Sequence, residues 1–235
     1  MTPLWFFLAG LPAAFLLDRA IAVLGRDVDE ESDDDDELLD DDSEEPVALV
    51  VKQLPWQVEP WRKRVRVMVV VTAPFLMAVA GWRFDPPQAV AVSALVLALL
   101  LCTGTDLIEY RVPNVVTYPG TLLALVAAAL FPRGDPLNAL LAGLAGGFIF
   151  LVMAIITRGG LGLGDVKLAV LIGAALGFPA GYQALVFGIL AGGLVILALF
   201  VTGIVSRRQA VPYAPFLALA AVAVVLTQGA VFAPL

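Results

Sequence analysis

Eight apolar runs divide this chain, and they constrain its fold more than any other feature. A helix needs roughly 20 apolar residues to cross about 30 Å of hydrocarbon, and fewer where flanking charges reach the headgroups. We interpret the runs as Leu4–Leu24, Arg66–Trp82, Ala89–Thr103, Val115–Phe131, Leu137–Thr157, Val166–Phe178, Gln183–Val205 and Pro215–Phe232. The sequence therefore predicts an all-α fold, a polytopic integral membrane helical bundle with about eight transmembrane helices embedded in the lipid bilayer.

The amino-acid composition narrows the chemistry that such a bundle can perform. The chain is 60% hydrophobic and 15% charged, and it has no histidine and one cysteine, Cys102. These counts exclude a Ser-His-Asp triad, a Cys-His pair, a zinc site made of histidine or cysteine, and an internal disulfide. No metal or cofactor is expected, and the chemistry must come from carboxylates, lysines or the backbone.

The acidic residues are concentrated in one tract. Of the 21 Asp and Glu residues, 14 lie between Asp27 and Glu45, which predicts a disordered, solvated spacer there. A regulatory docking role for the tract is the alternative. The predicted organisation is a retained first transmembrane helix (1–25), a cytoplasmic loop with this tract and a Trp/Arg-rich juxtamembrane segment (26–65), and a membrane-embedded core (66–235).

The basic residues predict the orientation in the membrane. With eight spans, one set of alternate loops holds eleven Lys and Arg residues, and the opposite set holds only Arg83 and Arg133. The positive-inside rule makes the basic side cytoplasmic and places both termini outside. These basic residues are scattered between apolar runs and form no stripe with aromatic residues, so no nucleic-acid partner is expected.

Two aspartates stand at the ends of spans on the same predicted face. Asp106 follows the third run and Asp165 precedes the sixth, with two complete spans between them. The chain therefore crosses and returns, and we expect both carboxylates on the cytoplasmic side at similar depth. A carboxylate at a membrane boundary is costly and indicates function.

A pair of carboxylates suits water-mediated peptide hydrolysis. Two carboxylates that share a site do not both ionise readily, so one serves as base while the other keeps a proton. The N-terminal end of a helix favours the charged form of Asp165, which predicts that Asp106 holds the shared proton. Simpler interpretations remain open: Asp165 as a helix N-cap, Asp106 paired with Arg111, and Glu109 and Lys167 as interfacial anchors.

Three motifs in this order resemble those of the type IV prepilin peptidases, which are membrane aspartic proteases. The first is Asp106 followed by Val112-Pro113-Asn114, and the second is Gly162-x-Gly164-Asp165-Val166-Lys167. The third, residues 212–218, reads Pro-Tyr-Ala-Pro-Phe-Leu-Ala and is similar to the family's Pro-Phe-Gly-Pro-Phe-Leu-Ala segment.

The resemblance implies a catalytic dyad of Asp106 and Asp165 in a peptidase core at 66–235. Five residues from the same motifs are expected to support the active site: Gly162, Gly164, Lys167, Pro113 and Asn114. The implied substrates are prepilin or pseudopilin precursors, from which a short basic leader is removed at the cytoplasmic face of the inner (plasma) membrane. The implied enzyme is an aspartic-type endopeptidase.

The front of the chain departs from this family pattern. Many bifunctional members have a Gly-Ser-Phe-Leu-Asn stretch in the first helix and paired Cys-x-x-Cys motifs in the first loop. Here residues 13–17 read Ala-Ala-Phe-Leu-Leu and the loop has no cysteine, so the N-methyltransferase activity of those members lacks its motifs. Two alternatives remain: a related intramembrane aspartic protease with other membrane-peptide substrates, and a non-enzymatic transporter or scaffold.

Overall fold

The computed structural model describes residues 2–36, 59–157, 161–203 and 211–234. Within these ranges the chain forms eight helices followed by a short antiparallel hairpin, and each predicted run corresponds to one helix. The elements are α1 (Thr2–Asp36), α2 (Glu59–Arg83), α3 (Pro86–Glu109), α4 (Asn114–Leu130), α5 (Pro136–Ile156), α6 (Leu163–Leu176), α7 (Ala180–Val201), α8 (Ala214–Gln228), β1 (Gly229–Ala230) and β2 (Ala233–Pro234). The predicted all-α membrane bundle is confirmed.

The helices differ in their capacity to cross a membrane. Within the described residues, five segments are long and apolar enough by length and composition: Pro3–Leu24, Trp61–Arg83, Pro86–Glu109, Pro136–Ile156 and Ala180–Val201. Helices α4, α6 and α8 are shorter, with 17, 14 and 15 residues. The last predicted run extends to Phe232, but α8 ends at Gln228. The reason is Gly229, whose φ of 92° lies in a region that glycine adopts without steric cost.

The front of the chain differs from the prediction. Residues 27–36, assigned to a disordered tract, continue α1 as a helix to Asp36. Once the apolar span has nucleated a helix, each further residue adds a hydrogen bond without a new nucleation cost. The rest of the acidic tract, 37–45, lies outside the described residues. From Glu59 onward the juxtamembrane segment forms the first turns of α2, so the expected boundaries at 25/26 and 65/66 both fall inside helices.

Two groups of buried apolar side chains hold the bundle together. The smaller group joins α1 to α2, and we call this pair the front hairpin. It consists of Ala14, Leu17, Ile21, Val65, Val69 and Ala73. The larger group extends across α3 to α8, which we call the core, and takes in the end of α2 through Ala80 and Phe84.

Helix α6 lies at the centre of the core, and most of its side chains are buried. A Cβ atom at Gly173 would collide with the carbonyl oxygen of Ala142 in α5. On the next helix, a Cβ at Gly181 of α7 would lie 3.3 Å from the Cα of Gly173. Small residues allow helix backbones to approach closely in a membrane. These contacts fix α6 between α5 and α7.

Two glycine-rich stretches, residues 143–147 of α5 and 188–193 of α7, hold six glycines, and five of them make close contacts with a neighbouring segment. Those in α5 pack against α6, and two of those in α7 pack against α8 or the residue before it, whereas no described residue lies within 4 Å of a Cβ built on the last. In order, these residues are Gly143, Gly146 and Gly147, then Gly188 and Gly192, then Gly193.

Candidate active site

Asp106 lies in the last turn of α3 and not beyond the helix, as the apolar run had predicted. The charge lowers the local hydropathy, but the helical hydrogen bonds continue to Tyr110, whose amide donates to the carbonyl oxygen of Asp106 at 3.0 Å. Tyr110 then takes a φ of 56° and ends the helix. The Asp106 side chain is therefore held by a regular helical backbone, and the residue is only 6% exposed.

Asp165 lies in the first turn of α6 and is also 6% exposed. Gly162 occupies the N-cap position, so Asp165 is the third helical residue and not the cap. Its amide donates to the Gly162 carbonyl oxygen at 3.1 Å, and the Gly162 amide reaches back to the Asp165 carboxylate. Because Gly162 has no side chain, the Asp165 amide bonds to its backbone carbonyl, and only the return half of a capping box is present. The Gly162 amide holds one part of the carboxylate, while Oδ1 has no hydrogen-bond partner among the described residues.

The structure brings these two aspartates together. Asp165 lies close enough to Asp106 for their carboxyl groups to interact electrostatically, although α4 and α5 separate the two residues along the chain. Both also lie close to Tyr213. Asp165 interacts electrostatically with the Tyr213 hydroxyl group, and the Tyr213 backbone amide approaches the Asp106 carboxyl group. The ends of α3 and α6 thus form a buried site with two carboxyl groups.

A third helix end belongs to this site, and the sequence interpretation did not assign it. The amide of Ala214, the first residue of α8, donates to Oδ2 of Asp106 at 3.0 Å in a buried hydrogen bond. Amides in the first turn of a helix lack intrahelical partners and are available to a carboxylate. Pro215 marks the start of a helix on the predicted cytoplasmic face, and this signal could have identified the donor.

Tyr213 connects this third helix end to α7. Its hydroxyl donates to the carbonyl oxygen of Ile189 at 3.1 Å, and its ring lies where a Cβ at Gly192 would come within 2.7 Å of it. Burial, with the charge of Asp165 as a smaller cause, raises the pKa of the Tyr213 hydroxyl to about 12. The hydroxyl group therefore stays protonated at neutral pH and remains a donor.

The two motif glycines have different surroundings. A Cβ at Gly164 would approach the Cβ of Val112 to 3.0 Å, so the loop before α4 occupies this side of the backbone. A Cβ at Gly162 would lie 3.6 Å from Oδ2 of Asp165, which is an ordinary contact. Gly164 thus serves to bring the loop and α6 together.

Lys167, Asn114 and Pro113 lie together at the start of α4 and α6. Lys167 Nζ donates to Oδ1 of Asn114 at 2.7 Å and lies 5.4 Å from the ring centroid of Tyr118. Pro113 immediately precedes α4 with extended backbone angles. This exposed contact joins the motif that contains Asp165 to the motif that contains Asp106, at the same end of the bundle as the two aspartates.

Comparison with known proteins covers part of the chain. Residues 93–197 match the type IV leader peptidase family. The chain is 38% identical over 145 residues to a prepilin leader peptidase/N-methyltransferase of Bacillus subtilis (strain 168). That alignment covers 61% of this chain and 58% of the relative. No solved structure matches the chain significantly. The family match contains Asp106 and Asp165 but ends before α8.

Proposed function

We propose that this chain, which belongs to the type IV leader peptidase family, is an aspartic endopeptidase that removes the N-terminal leader of type IV prepilin or pseudopilin precursors. The single observation that carries this proposal is the meeting of Asp106 and Asp165, both buried, at the ends of two helices inside the matched region. The name of the Bacillus subtilis relative supports prepilins as the substrate class.

The proposed reaction uses both carboxyl groups and no covalent intermediate. One carboxylate takes a proton from water, and the resulting hydroxide attacks the scissile carbonyl carbon. The other carboxyl group is protonated, polarises the carbonyl oxygen, and a proton reaches the leaving amine as the bond breaks. The unpartnered Oδ1 of Asp165 is suited to contact water or the peptide. Which aspartate holds the proton in the free enzyme stays a prediction, with Asp106 favoured by the sequence.

The proposed location of the reaction is the cytoplasmic side of the inner (plasma) membrane. Apolar helices of spanning length support an integral membrane protein. The excess of basic residues in one set of loops supports the orientation. Asp106 and Asp165 lie at the end of the bundle that carries Lys167, a member of that basic set. A precursor whose basic leader stays on the cytoplasmic side would therefore present its cleavage site to the dyad.

The proposal is tested by cleavage of a prepilin with its native leader. Purified, detergent-solubilised wild type is compared with Asp106→Asn, Asp165→Asn and the matched control Asp85→Asn. Asp85 precedes α3 at its other end, and its side chain makes no capping hydrogen bond. Leader loss is measured by mass spectrometry, which also records any methyl group on the new N-terminus and thereby tests for N-methyltransferase activity.

We expect the wild type and Asp85→Asn to cleave, and each dyad variant to lose at least about 10³-fold in rate. Folded dyad variants that cleave at the wild-type rate would refute the aspartic mechanism. A folded wild type that leaves prepilins and pseudopilins intact, but cuts another membrane peptide, would refute the proposed substrate class.

A further inference from the structure

The contact between α7 and the start of α8 suggests a role for a residue outside the dyad. We propose that Tyr213 is a positioning residue that holds the Asp106 carboxylate in register with Asp165 through the N-terminus of α8. The inference rests on the proposed aspartic mechanism. It concerns the geometry of the dyad and not its chemistry.

The first step of the argument is the attachment of Tyr213 to α7. The ring lies against the backbone of Gly192, and the hydroxyl donates to the Ile189 carbonyl oxygen one turn away. A side chain at Gly192 would occupy the ring's position, with Cε2 2.7 Å and Cζ 2.9 Å from a built Cβ. The ring position therefore depends on the absence of a side chain at residue 192.

The second step is the attachment of α7 to α6, the helix that carries Asp165. Gly181 lies against the backbone of Gly173, and Leu185 packs against Gly146 of α5, with its Cδ1 2.9 Å from a built Cβ. Closely packed backbones of this kind resist deformation. Helices α6 and α7 consequently act as one body, and Tyr213 is fixed relative to Asp165.

The third step connects Tyr213 to Asp106. Tyr213 directly precedes Ala214, and the Ala214 amide donates to Oδ2 of Asp106 at 3.0 Å. A displacement of the Tyr213 ring therefore moves the donor that orients the carboxylate. Placement errors of about 1 Å can cost 10²-fold in rate even where the displaced residue performs no chemistry.

The test uses four variants in the prepilin cleavage assay, with kcat and KM measured separately. Tyr213→Ala removes the ring, Tyr213→Phe keeps it and loses the hydroxyl, and Gly192→Ala displaces it. Gly193→Ala is the matched control, because a Cβ there would have no atom of the described residues within 4 Å. Melting temperatures in detergent show whether each variant is folded.

A positioning role predicts a loss in kcat with KM nearly unchanged, because the lost interaction acts on the transition state. We expect kcat to fall about 100-fold in Tyr213→Ala and about tenfold in Gly192→Ala. Tyr213→Phe should stay within about tenfold of wild type, as expected for one hydrogen bond. Gly193→Ala should match wild type.

Three outcomes would overturn the inference. They are a folded Tyr213→Ala with wild-type kcat, a loss that appears only in KM, and equal rates for Gly192→Ala and Gly193→Ala. If Tyr213→Ala is unfolded at the assay temperature, the two glycine variants decide the question. An inactive Asp106→Asn beside a fully active Tyr213→Ala would refute the positioning role and leave the proposed function intact. An active Asp106→Asn would refute both.

Discussion

The front hairpin and the core both have aspartates on apolar helices, but the hydrogen-bond partners of these aspartates are of different kinds. Asp18 of α1 receives two hydrogen bonds from Arg66 of α2, from Nε and Nη2, each at 2.7 Å. In the core, Asp106 receives the Ala214 amide, and Oδ1 of Asp165 has no partner among the described residues. A bidentate arginine satisfies and neutralises a carboxylate, whereas an amide leaves its charge and spare lone pairs. The partner of a membrane carboxylate, and not the presence of the carboxylate alone, therefore indicates whether it takes part in chemistry.

The sequence comparison divides the molecule in the same way. The family match covers 93–197 and leaves out the front hairpin. The core must keep three helix ends in fixed relation, whereas the hairpin is joined by its aliphatic cluster and the Asp18–Arg66 pair. We therefore expect substitutions in the hairpin to affect stability first, and substitutions in the core to affect catalysis.

The largest expected difference is between two identical substitutions in the two regions. Asp165→Asn should lower prepilin cleavage by at least about 10³-fold. Asp18→Asn should stay within about threefold of wild type, because no reacting group is lost, but it should melt at a lower temperature. Cleavage rates and melting curves on the same preparations measure both effects. An Asp18→Asn variant that is folded but inactive would break the comparison, since the hairpin would then belong to the site.

A smaller effect is expected from close packing in the core. Gly173→Ala places a Cβ against the backbone of Ala142, which cannot move without separating α5 from α6. Overpacking of this kind costs about 1–3 kcal/mol. Gly193→Ala, whose Cβ would meet no residue in the described part of the chain, should be neutral or slightly stabilising. Thermal unfolding in detergent compares the two. Equal stability of the two variants would mean that the contact between α5 and α6 accommodates an added Cβ atom without loss of packing.

The Asp18–Arg66 pair should show a modest coupling energy. The two side chains are 28% and 37% exposed, so solvent weakens their attraction. A double-mutant cycle with Asp18→Asn and Arg66→Gln should give about 1–2 kcal/mol of coupling in unfolding free energy. The double variant should cleave prepilin at nearly the wild-type rate. Zero coupling would show that the two hydrogen bonds between Arg66 and Asp18 do not stabilise the front hairpin.

The smallest effect is expected at the exposed contact between α4 and α6. Lys167→Met and Asn114→Ala each remove the 2.7 Å hydrogen bond between Nζ and Oδ1. Each should lower cleavage about threefold, and the double variant should lose no more than either single variant. Rates from a dilution series of substrate measure this. Additive losses would show that Lys167 and Asn114 act separately, for example by contacting the peptide.

The sequence predicts much of this architecture because apolar length and helix-end residues are local signals. All eight helices were identified, and the loops that join them placed Asp106 and Asp165 on one side. The end of α3 was misplaced because one charged residue interrupts an apolar run without interrupting the backbone hydrogen bonds that continue to Tyr110.

The parts of the site that the sequence did not predict depend on contacts between distant segments. The donation from Ala214 to Asp106 joins residues 108 positions apart, and although Pro215 marks the start of α8, no local pattern reports which carboxylate its first amide reaches. The packing of Val112 against Gly164 is a similar case, because a glycine in the sequence does not report which distant segment lies against it. Hydropathy identifies the elements, but only the packed helices show which backbone groups reach the dyad.

The position of α8 has a consequence for any attempt to reduce this protein to a minimal catalytic fragment. The family match ends at residue 197. A truncation there would keep both aspartates but remove the Ala214 amide, which donates a hydrogen bond to Asp106. Such a fragment would contain the reactive side chains without the donor that orients one of them. A usable fragment must extend through the first turn of α8, so the region of the family match is shorter than the part of the chain that the site needs.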